Sequence, residues 1–411
     1  MYTVSLERLQ HRLNALSRIT DPHLPYTRRA FTGRYLEGRA WLEGEFRAAG
    51  LETHTDAGGN LVGRLEGKNA RALVLGSHTD TVNSGGRFDG TLGVLSALEV
   101  AQTLTENGVK LQHSLEVVDF LSEEPSEYGG LSCVGSRAWT GTLNESMLAL
   151  ENADGERLEQ AMKRMGADLE RVRQGPLRRS DDLAAYLELH IEQGPALEQA
   201  GIPIGAVTGI AGIERWKLRV IGQADHAGTT PMSLRKDALL GASRLVLELN
   251  ARARATPNLV ATIGVFTLSP GAANVVPERV NLLSDTRSID AVALERFNLD
   301  FLEWAKDFLE QAGLRFEFER VSRSAPTVCD PRVLEAIRAG AKKRGHAWLE
   351  LPSGAGHDGA HMASLCPVGM IFVPSVRGRS HTPEEFTLER DILAGTEVLL
   401  ETVLELDRIL Y

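Results

Sequence analysis

An apolar segment that runs into a polar, glycine-rich loop sets the strongest constraint on the fold of this chain. Residues 73–94 read LVLGSHTDTVNSGGRFDGTLGV, and His78, Asp80 and Asp89 lie where the loop begins and turns. A buried strand followed by such side chains is typical of the carboxyl edge of an α/β sheet, where loops carry functional groups on a rigid scaffold. The alternative is a structural histidine at a strand end followed by an ordinary Asp-Gly turn, and this stretch alone leaves both open.

The same pattern occurs at three other places in the chain. Further predicted strands end in possible metal ligands: 114–121 before Glu123 and Glu124, 185–191 with His190, and 368–374 before the loop that holds His381. Imidazole and carboxylate without cysteine suit zinc, or else manganese, cobalt or nickel, in an open catalytic site. Five ligands on one ion would leave no place for substrate, whereas a carboxylate shared by two ions leaves each ion an open position. The pattern favours two divalent metal ions per subunit.

The length and the order of predicted elements indicate more than one domain. A chain of 411 residues exceeds the size at which a single core usually keeps growing. The glycine-rich segment 205–212 is predicted to be a hinge, and after it the pattern changes to β-α-β-β-α-β, a compact unit with its own sheet. We therefore expect an α/β catalytic domain from 1–212 and 326–411, with an inserted α+β domain at 213–325.

Charge and composition exclude several classes of partner. The formal net charge of −10 argues against a nucleic-acid partner, which would require a basic face. No run of about 18 apolar residues predicts a membrane span, and the charged N-terminal segment lacks the apolar block of a secretory signal. Three widely spaced cysteines fit neither a disulfide framework nor a CxxC metal site. We expect a cytoplasmic protein that acts on a small molecule.

A series of ordered motifs gives the chain a specific resemblance. They are GSHTDTVNSGGRFDG, FLSEEPSEYGGLSCVGSR, LELHIEQGPALE, GQADHAGTTPM, NVVPERVNLLSDTRS, GAGHDGAHM and FVPSVRGRSHTPEE. The chain resembles the hydantoinase/carbamoylase amidases, which include N-carbamoyl-L-amino-acid hydrolases, ureidoglycolate and allantoate amidohydrolases and β-alanine synthase. The resemblance implies a mixed-sheet dinuclear metallohydrolase domain with an inserted ferredoxin-like domain that serves as a lid and in dimerisation.

The resemblance also implies roles for the site residues. It assigns His78 and His190 to one metal, Glu124 and His381 to the other, and Asp89 to both. Glu123 matches the general base, and Asp80 matches a carboxylate that orients the ring of His78. Glu123, Asp80 and His226 form the implied catalytic set, with His226 as a donor to the oxyanion. Gln193, Asn274, Arg287 and His357 match residues that line the substrate pocket, with Arg287 as a clamp for a carboxylate.

In relatives, the residues equivalent to His226, Asn274 and Arg287 reach across a dimer interface, so a homodimer is implied. Each residue also has an ordinary structural interpretation when it is considered alone. Adjacent glutamates are commonly a solvated pair, and an arginine on a strand is commonly a surface ion-pair partner. His361, four residues after His357, is interpreted as structural because no carboxylate partner is visible in the sequence.

The favoured activity is cleavage of the carbamoyl C–N bond of an N-carbamoyl-L-amino acid, which releases ammonia, carbon dioxide and the amino acid. The alternatives in the same class are hydrolysis of ureidoglycolate, hydrolysis of allantoate, and hydrolysis of N-acyl-amino acids or dipeptides. Many allantoate enzymes carry glycine after the double glutamate, where this chain has Pro125, so ureidoglycolate is the closer of these. A metal-dependent binding protein without turnover is the alternative from another class, and the presence of Glu123 argues against it, because binding needs no proton shuttle.

Overall fold

The computed structural model describes residues 2–410, which divide into two compact units. The first unit comprises the residues up to Thr208 together with those from Cys329 onward, and the second unit comprises Gly209–Val328. The insert expected at 213–325 lies within the second unit. Among the described residues, no helix combines the length and the apolar character needed to cross a membrane.

The helices and strands are numbered in chain order. The elements up to β6 are, in order, α1 (Leu6–Ser17), α2 (Gly33–Ala48), β1 (Glu52–Thr55), β2 (Leu61–Leu65), β3 (Asn69–Ser77), α3 (Thr91–Glu106), β4 (His113–Asp119), α4 (Val134–Thr140), α5 (Glu145–Leu148), α6 (Leu158–Arg164), α7 (Leu169–Arg173), β5 (Leu183–Ile191), α8 (Ala196–Ala200) and β6 (Ile204–Ile210). The following elements are β7 (Gly212–Ile221), α9 (Ala238–Ala255), β8 (Leu259–Ser269), β9 (Arg279–Ser288), α10 (Ala291–Gln311), β10 (Arg315–Ser324) and β11 (Thr327–Val328). The last elements are α11 (Pro331–Arg344), β12 (Trp348–Ser353), α12 (Gly359–Met362), β13 (Val368–Val373) and α13 (Glu389–Ile409).

The first unit is organised around a mixed sheet with the strand order β1-β2-β4-β3-β5-β13-β6-β11, with β12 also paired to β6. The central strands β4, β3, β5 and β13 are mutually parallel, whereas β1, β2 and β6 pair antiparallel to their neighbours. Ser77 lies opposite Asp119, and Ile191 lies opposite Val373. Parallel strands in register end at the same edge, so the loops after these strands meet there. The predicted α/β fold is confirmed.

Apolar side chains on the central strands and on α3 and α13 form the core of the first unit. Every residue of β5 is buried, as expected for a parallel strand that is covered on both faces. Leu73 of β3, Leu95 of α3 and Leu399 of α13 belong to one buried cluster. Each such side chain stabilises the folded state by about 1.5–3 kcal/mol. The core therefore holds the sheet edge rigid beneath its loops.

The second unit has the predicted β-α-β-β-α-β order, and its antiparallel sheet has the strand order β10-β7-β9-β8. This is the ferredoxin-like arrangement, with α9 and α10 as the helices. In β7, buried residues such as Trp216, Leu218 and Val220 alternate with more exposed ones, and these three share a cluster with Leu245 of α9 and Phe301 of α10. The helices therefore cover one face of the sheet.

The segment 205–212, predicted to be a hinge, is largely strand: β6 ends at Ile210, β7 begins at Gly212, and the boundary between the two units falls after Thr208. Gly205 pairs with Phe372 of β13, so this glycine belongs to the sheet of the first unit. A Cβ atom on Gly205 would lie 2.9 Å from Cβ of Phe372 and 2.8 Å from a methyl carbon of Leu351. Close packing, rather than backbone freedom, explains glycine at this position.

Candidate metal centre

The residues predicted as metal ligands come together at one edge of the sheet in the first unit. His78 directly follows β3, Glu124 lies in the loop after β4, His190 is near the end of β5, and His381 lies in the loop after β13. These strands are neighbours in the sheet. These residues are far apart in the sequence but lie close together, because the parallel strands that precede them are neighbours in the sheet.

The Asp89 carboxylate lies between two sets of donor atoms. Its Oδ1 is 3.1 Å from Nε2 of His190 and 3.6 Å from Nε2 of His78. Its Oδ2 is 3.0 Å from Nε2 of His381, and that nitrogen is 3.3 Å from Oε1 of Glu124. Asp89 is 5% exposed. Each carboxylate oxygen thus faces a different set, and the two sets share only this residue.

Hydrogen bonds to the backbone set the orientation of two of the imidazole rings. Nδ1 of His78 donates to the carbonyl oxygen of Asp80 at 3.0 Å, and Nδ1 of His190 donates to the carbonyl of Ile191 at 2.9 Å. A neutral ring with its proton on Nδ1 presents a lone pair at Nε2. Nε2 of each ring lies within 3.6 Å of the Asp89 carboxylate, so both nitrogens are placed to bind the same cation as Asp89. Without a cation, Nε2 of His190 accepts from the backbone N–H of Gly90 at 3.1 Å.

The spacing of the donor atoms fits a bound cation. Two ligands at the usual zinc distances in tetrahedral geometry lie about 3.4 Å apart. The contacts of Asp89 with His78, His190 and His381 span 3.0–3.6 Å. His78, Asp89 and His190 form one set of mutually close donors, and Asp89, Glu124 and His381 form the other. The residues present therefore suit one divalent cation in each set.

The charges of these groups support the same conclusion. Hydrogen bonds that His381 donates to the carboxylates of Asp89 and Glu124 raise the pKa of its ring to about 11. Burial opposes ionisation of Asp89, but its bonds with His190 and His381 hold the pKa of the carboxyl well below its usual value. Burial also lowers the pKa of His78, yet the Glu123, Asp80 and Asp89 carboxylates raise it well above its usual range. This concentration of negative charge attracts a cation to the centre.

Glu123 lies beside both sets without belonging to either. Its Oε2 is 3.5 Å from Nε2 of His78, and the next residue is Glu124. The side chain is buried, and burial raises the pKa of its carboxyl well above the usual value, with His78 opposing this shift and Glu124 adding to it. A buried carboxylate with a raised pKa at this position can accept a proton from a group held at the centre.

Asp80 fixes the backbone that carries these two glutamates. Its Oδ1 accepts from the backbone N–H of Glu123 at 3.2 Å, and its Oδ2 accepts from that of Glu124 at 3.1 Å. The Asp80 carboxylate is 3.6 Å from Nδ1 of His78, whose hydrogen bond goes to the Asp80 carbonyl. The residue thus orients the His78 ring mainly through its backbone and the glutamates through its side chain.

Two predicted substrate residues, Gln193 and His357, also lie at this centre. Nε2 of Gln193 donates to Oδ2 of Asp89 at 2.8 Å. The ring centroid of His357 is 4.7 Å from that of His190, and its Nε2 is 2.9 Å from the hydroxyl of Ser353. Burial, followed by the charge of His190, lowers the pKa of His357 well below its usual value. His357 is therefore a neutral hydrogen-bonding group.

The other predicted residues, His226, Asn274 and Arg287, belong to the second unit. The segments with His226 and Asn274 are adjacent, because the backbone N–H of Ala227 donates to the Asn274 carbonyl at 2.9 Å. Arg287 lies on β9 and pairs with Asp285, its Nε 2.7 Å from Oδ1. Asp285 therefore orients the guanidinium of Arg287.

Sequence reasoning missed several buried polar residues at the centre. Glu188 accepts hydrogen bonds from the hydroxyls of Ser77 at 2.9 Å and Tyr186 at 2.8 Å, and it forms a third set of close donors with His190 and His357. Glu385 and Ser380 lie in the loop that carries His381. Two features of the sequence could have indicated these residues. They are the polar residues inside the apolar pattern of β5 and the second glutamate of HTPEE.

The backbone of the loops at the centre adopts uncommon angles. Ser122, Gln193 and His381 have φ values of 55°, 59° and 55°. Non-glycine residues rarely adopt this left-handed region, and such residues cluster at functional sites. Gly90, with φ of 61°, has no such penalty, and a Cβ at this position would collide with the ring of His78. These backbone angles put the ligands in position, and they lower the stability of the loops.

Comparisons with known proteins agree with this geometry. The model of peptidase family M20/M25/M40 matches residues 74–405. The N-carbamoyl-L-amino acid amidohydrolase of Geobacillus stearothermophilus is 41% identical over 403 residues, covering 97% of this chain and 98% of the relative. The ureidoglycolate hydrolase of Oryza sativa subsp. japonica is 34% identical over 414 residues, covering 97% of this chain and 84% of the relative. A crystal structure of a hydantoinase/carbamoylase family amidase from Burkholderia multivorans superposes with a TM-score of 0.91 at 34% identity, covering 98% of each chain.

The fold, the two ligand sets and the family match define a metal-dependent hydrolase, and the chain belongs to peptidase family M20/M25/M40. Within this family it is a hydantoinase/carbamoylase amidase, a hydrolase of C–N bonds. The resemblance inferred from the ordered motifs is confirmed.

Replacement of Gly90 by alanine is expected to impair metal binding, because the added methyl group would displace the His78 ring. Zinc bound per chain after dialysis, measured by inductively coupled plasma mass spectrometry, should fall below the native value. Gly108→Ala is the matched control, since Gly108 has a similar φ of 63° but open space around the position of a Cβ. Equal zinc loss in both variants would assign the effect to backbone strain and contradict the steric explanation.

Proposed function

We propose that this chain hydrolyses the carbamoyl C–N bond of an N-carbamoyl-L-amino acid, using two divalent metal ions in each subunit, with zinc the expected metal. The observation that carries the proposal is the buried Glu123 carboxylate beside two donor sets that share Asp89. The relative named N-carbamoyl-L-amino acid amidohydrolase, 41% identical across nearly the full chain, supports this choice of substrate.

In this proposal His78 and His190 would hold one ion, Glu124 and His381 would hold the other, and Asp89 would be a ligand shared by both. Divalent cations in such a pair supply Lewis acidity, which makes water easier to deprotonate and polarises a carbonyl group. The hydrogen bonds of His78 and His190 to backbone carbonyls keep their Nε2 atoms ready to bind metal. Gln193 restrains the Asp89 carboxylate through its amide.

Glu123 is proposed to move the proton. It accepts a proton from the attacking water and later delivers it to the departing nitrogen, so that the C–N bond breaks without leaving an amide anion. The Asp80 carboxylate, which accepts from the backbone N–H of Glu123, holds Glu123 in place during both transfers. Water adds to the carbamoyl carbon and one of its C–N bonds breaks. The carbamic acid that remains then loses carbon dioxide as its own C–N bond breaks, so that the final products are ammonia, carbon dioxide and the free amino acid.

Recognition of the substrate is proposed to use the residues predicted to line the substrate pocket. Arg287 is the candidate clamp for the substrate carboxylate, and its pairing with Asp285 supports a fixed orientation of the guanidinium. His226 is the proposed donor to the oxyanion. Asn274, Gln193 and His357 are proposed to bind polar groups of the substrate.

A product assay tests the substrate. We expect ammonia release with the highest kcat/KM from N-carbamoyl-L-amino acids, after the metal-free protein is reconstituted separately with zinc, manganese, cobalt and nickel. Ureidoglycolate, allantoate, N-acyl-amino acids and dipeptides are the competing substrates. A higher kcat/KM with ureidoglycolate or allantoate would replace the proposed substrate, and metal-bound protein that cleaves none of these compounds would support a binding function instead.

Glu123→Gln is expected to lower kcat by about 10²–10⁴-fold, because the amide cannot accept the proton. Metal bound per chain should stay at the native value, since Glu123 is a member of neither ligand set. Glu127→Gln is the control, because Glu127 lies four residues further on and is exposed. Native activity in Glu123→Gln would remove this residue from the mechanism.

A homodimer that forms through the second unit is also proposed. In the described part of the chain β8 is an edge strand that pairs only with β9. Its exposed side chains include Val260, Val265, Phe266 and Leu268, the first of them 60% exposed. A long apolar edge strand readily pairs with another chain.

The three cysteines, which are buried free thiols, support the expected reducing compartment, the cytoplasm.

Val265→Lys is expected to shift the protein from dimer to monomer, because a charge on the edge strand opposes pairing with a second copy. Light scattering coupled to size-exclusion chromatography measures the mass. Val292→Lys is the control, since Val292 is 76% exposed and lies on the helix α10 and not on an edge strand. A native protein that is monomeric at micromolar concentration would contradict the dimer.

A further inference from the structure

Glu385 is a buried carboxylate that joins two loops of the metal centre. Its Oε1 accepts from the backbone N–H groups of Phe88 at 2.8 Å and Asp89 at 3.0 Å. Its Oε2 is 2.7 Å from the hydroxyl of Ser380. Glu385 is 2% exposed, so water does not compete for these bonds. One side chain therefore connects the loop that ends at Asp89 with the loop that holds His381.

Ser380 extends this connection to the side chain of Asp89. Its hydroxyl is 2.9 Å from Oδ2 of Asp89 as well as close to Glu385. The next residue is His381, whose Nε2 contacts the same Oδ2. Two ligands of one donor set are thus fixed relative to each other by bonds that Glu385 and Ser380 make.

The opposite loop is shaped to receive the Glu385 carboxylate. A Cβ atom on Gly86 would overlap the carboxyl carbon and both carboxylate oxygens of Glu385. Gly86 does not have a positive φ, so backbone freedom does not explain glycine here. The close approach of the carboxylate does explain it.

We propose that Glu385 is a positioning residue that holds the Asp89 loop against the His381 loop and so sets the affinity of the cation position formed by Asp89, Glu124 and His381. This inference rests on the proposed two-metal function. Glu385 is a member of none of the sets of close donor atoms. It acts on two ligands indirectly, through the backbone N–H of Asp89 and through Ser380, the residue before His381. Outer partners of metal ligands commonly change metal affinity by about 10–100-fold.

The test is a zinc titration of the purified full chain against a chromophoric chelator, without substrate. In Glu385→Ala the affinity for the second zinc ion should fall by about 10–100-fold, while one ion stays tightly bound. Glu385→Gln should bind both ions nearly as the native protein does. Its amide oxygen can accept from both backbone N–H groups, and its amide nitrogen can donate to the Ser380 hydroxyl.

Gly86→Ala provides an independent route, because it leaves Glu385 in the chain but excludes the carboxylate from its place. It should weaken the second zinc ion as Glu385→Ala does, with a circular-dichroism spectrum like that of the native protein. Glu384→Gln is the matched control, since Glu384 is the preceding residue, is exposed and pairs with Arg379. It should bind zinc as the native protein does.

Native zinc affinity in Glu385→Ala and in Gly86→Ala would overturn the inference. Equal weakening in Glu385→Gln and Glu385→Ala would also overturn it, because the effect would then belong to the charge and not to the hydrogen bonds. A native chain that binds two zinc ions but hydrolyses no ureido compound would refute the proposed substrate and leave this inference standing. A native chain that binds only one ion would refute both the two-metal site and this inference.

Discussion

The Asp89 carboxylate, buried between three imidazole rings, is the interaction on which the metal centre depends. An ionised carboxylate without compensation costs several kcal/mol to bury, and the amide of Gln193 and the hydroxyl of Ser380 donate to Oδ2 of Asp89. Because the two oxygens face different donor sets, the position of Asp89 determines the distance between these sets. The surrounding loops are best understood as supports for this one side chain.

The parallel part of the sheet provides the first of these supports. His78 and His381 are separated by some three-quarters of the chain, yet the adjacent strands β3, β5 and β13 end at the same edge. The buried core beneath that edge tolerates little displacement, because side chains in protein interiors are closely packed. The loops can therefore adopt unfavourable backbone angles at Ser122 and His381 without losing the alignment of the ligands.

The sequence predicted those features that a local pattern encodes. Apolar segments ending in His78, Glu123 and His190 indicated the strands and their functional ends, and the element order of the second unit was also visible. Contacts between distant loops leave no such local signal. Glu385 reads as one of two adjacent glutamates, and only the fold shows that it is buried against Gly86, nearly 300 residues earlier. The strand β6 was not visible within the glycine-rich segment 205–212, because glycines required for packing and glycines required for flexibility look the same in a sequence.

The adjacent glutamates show how closely ligand and proton acceptor are coupled in this centre. Ser122, with φ of 55°, turns the chain as it leaves β4, so that Glu124 approaches His381 while Glu123 approaches His78. Asp80 then accepts from the backbone N–H of both glutamates, one with each oxygen. A displacement of this turn would move the metal ligand and the proposed base together. Because Glu123 and Glu124 are adjacent in the sequence, the spacing between the candidate metal ligand and the proposed base is set by this one turn.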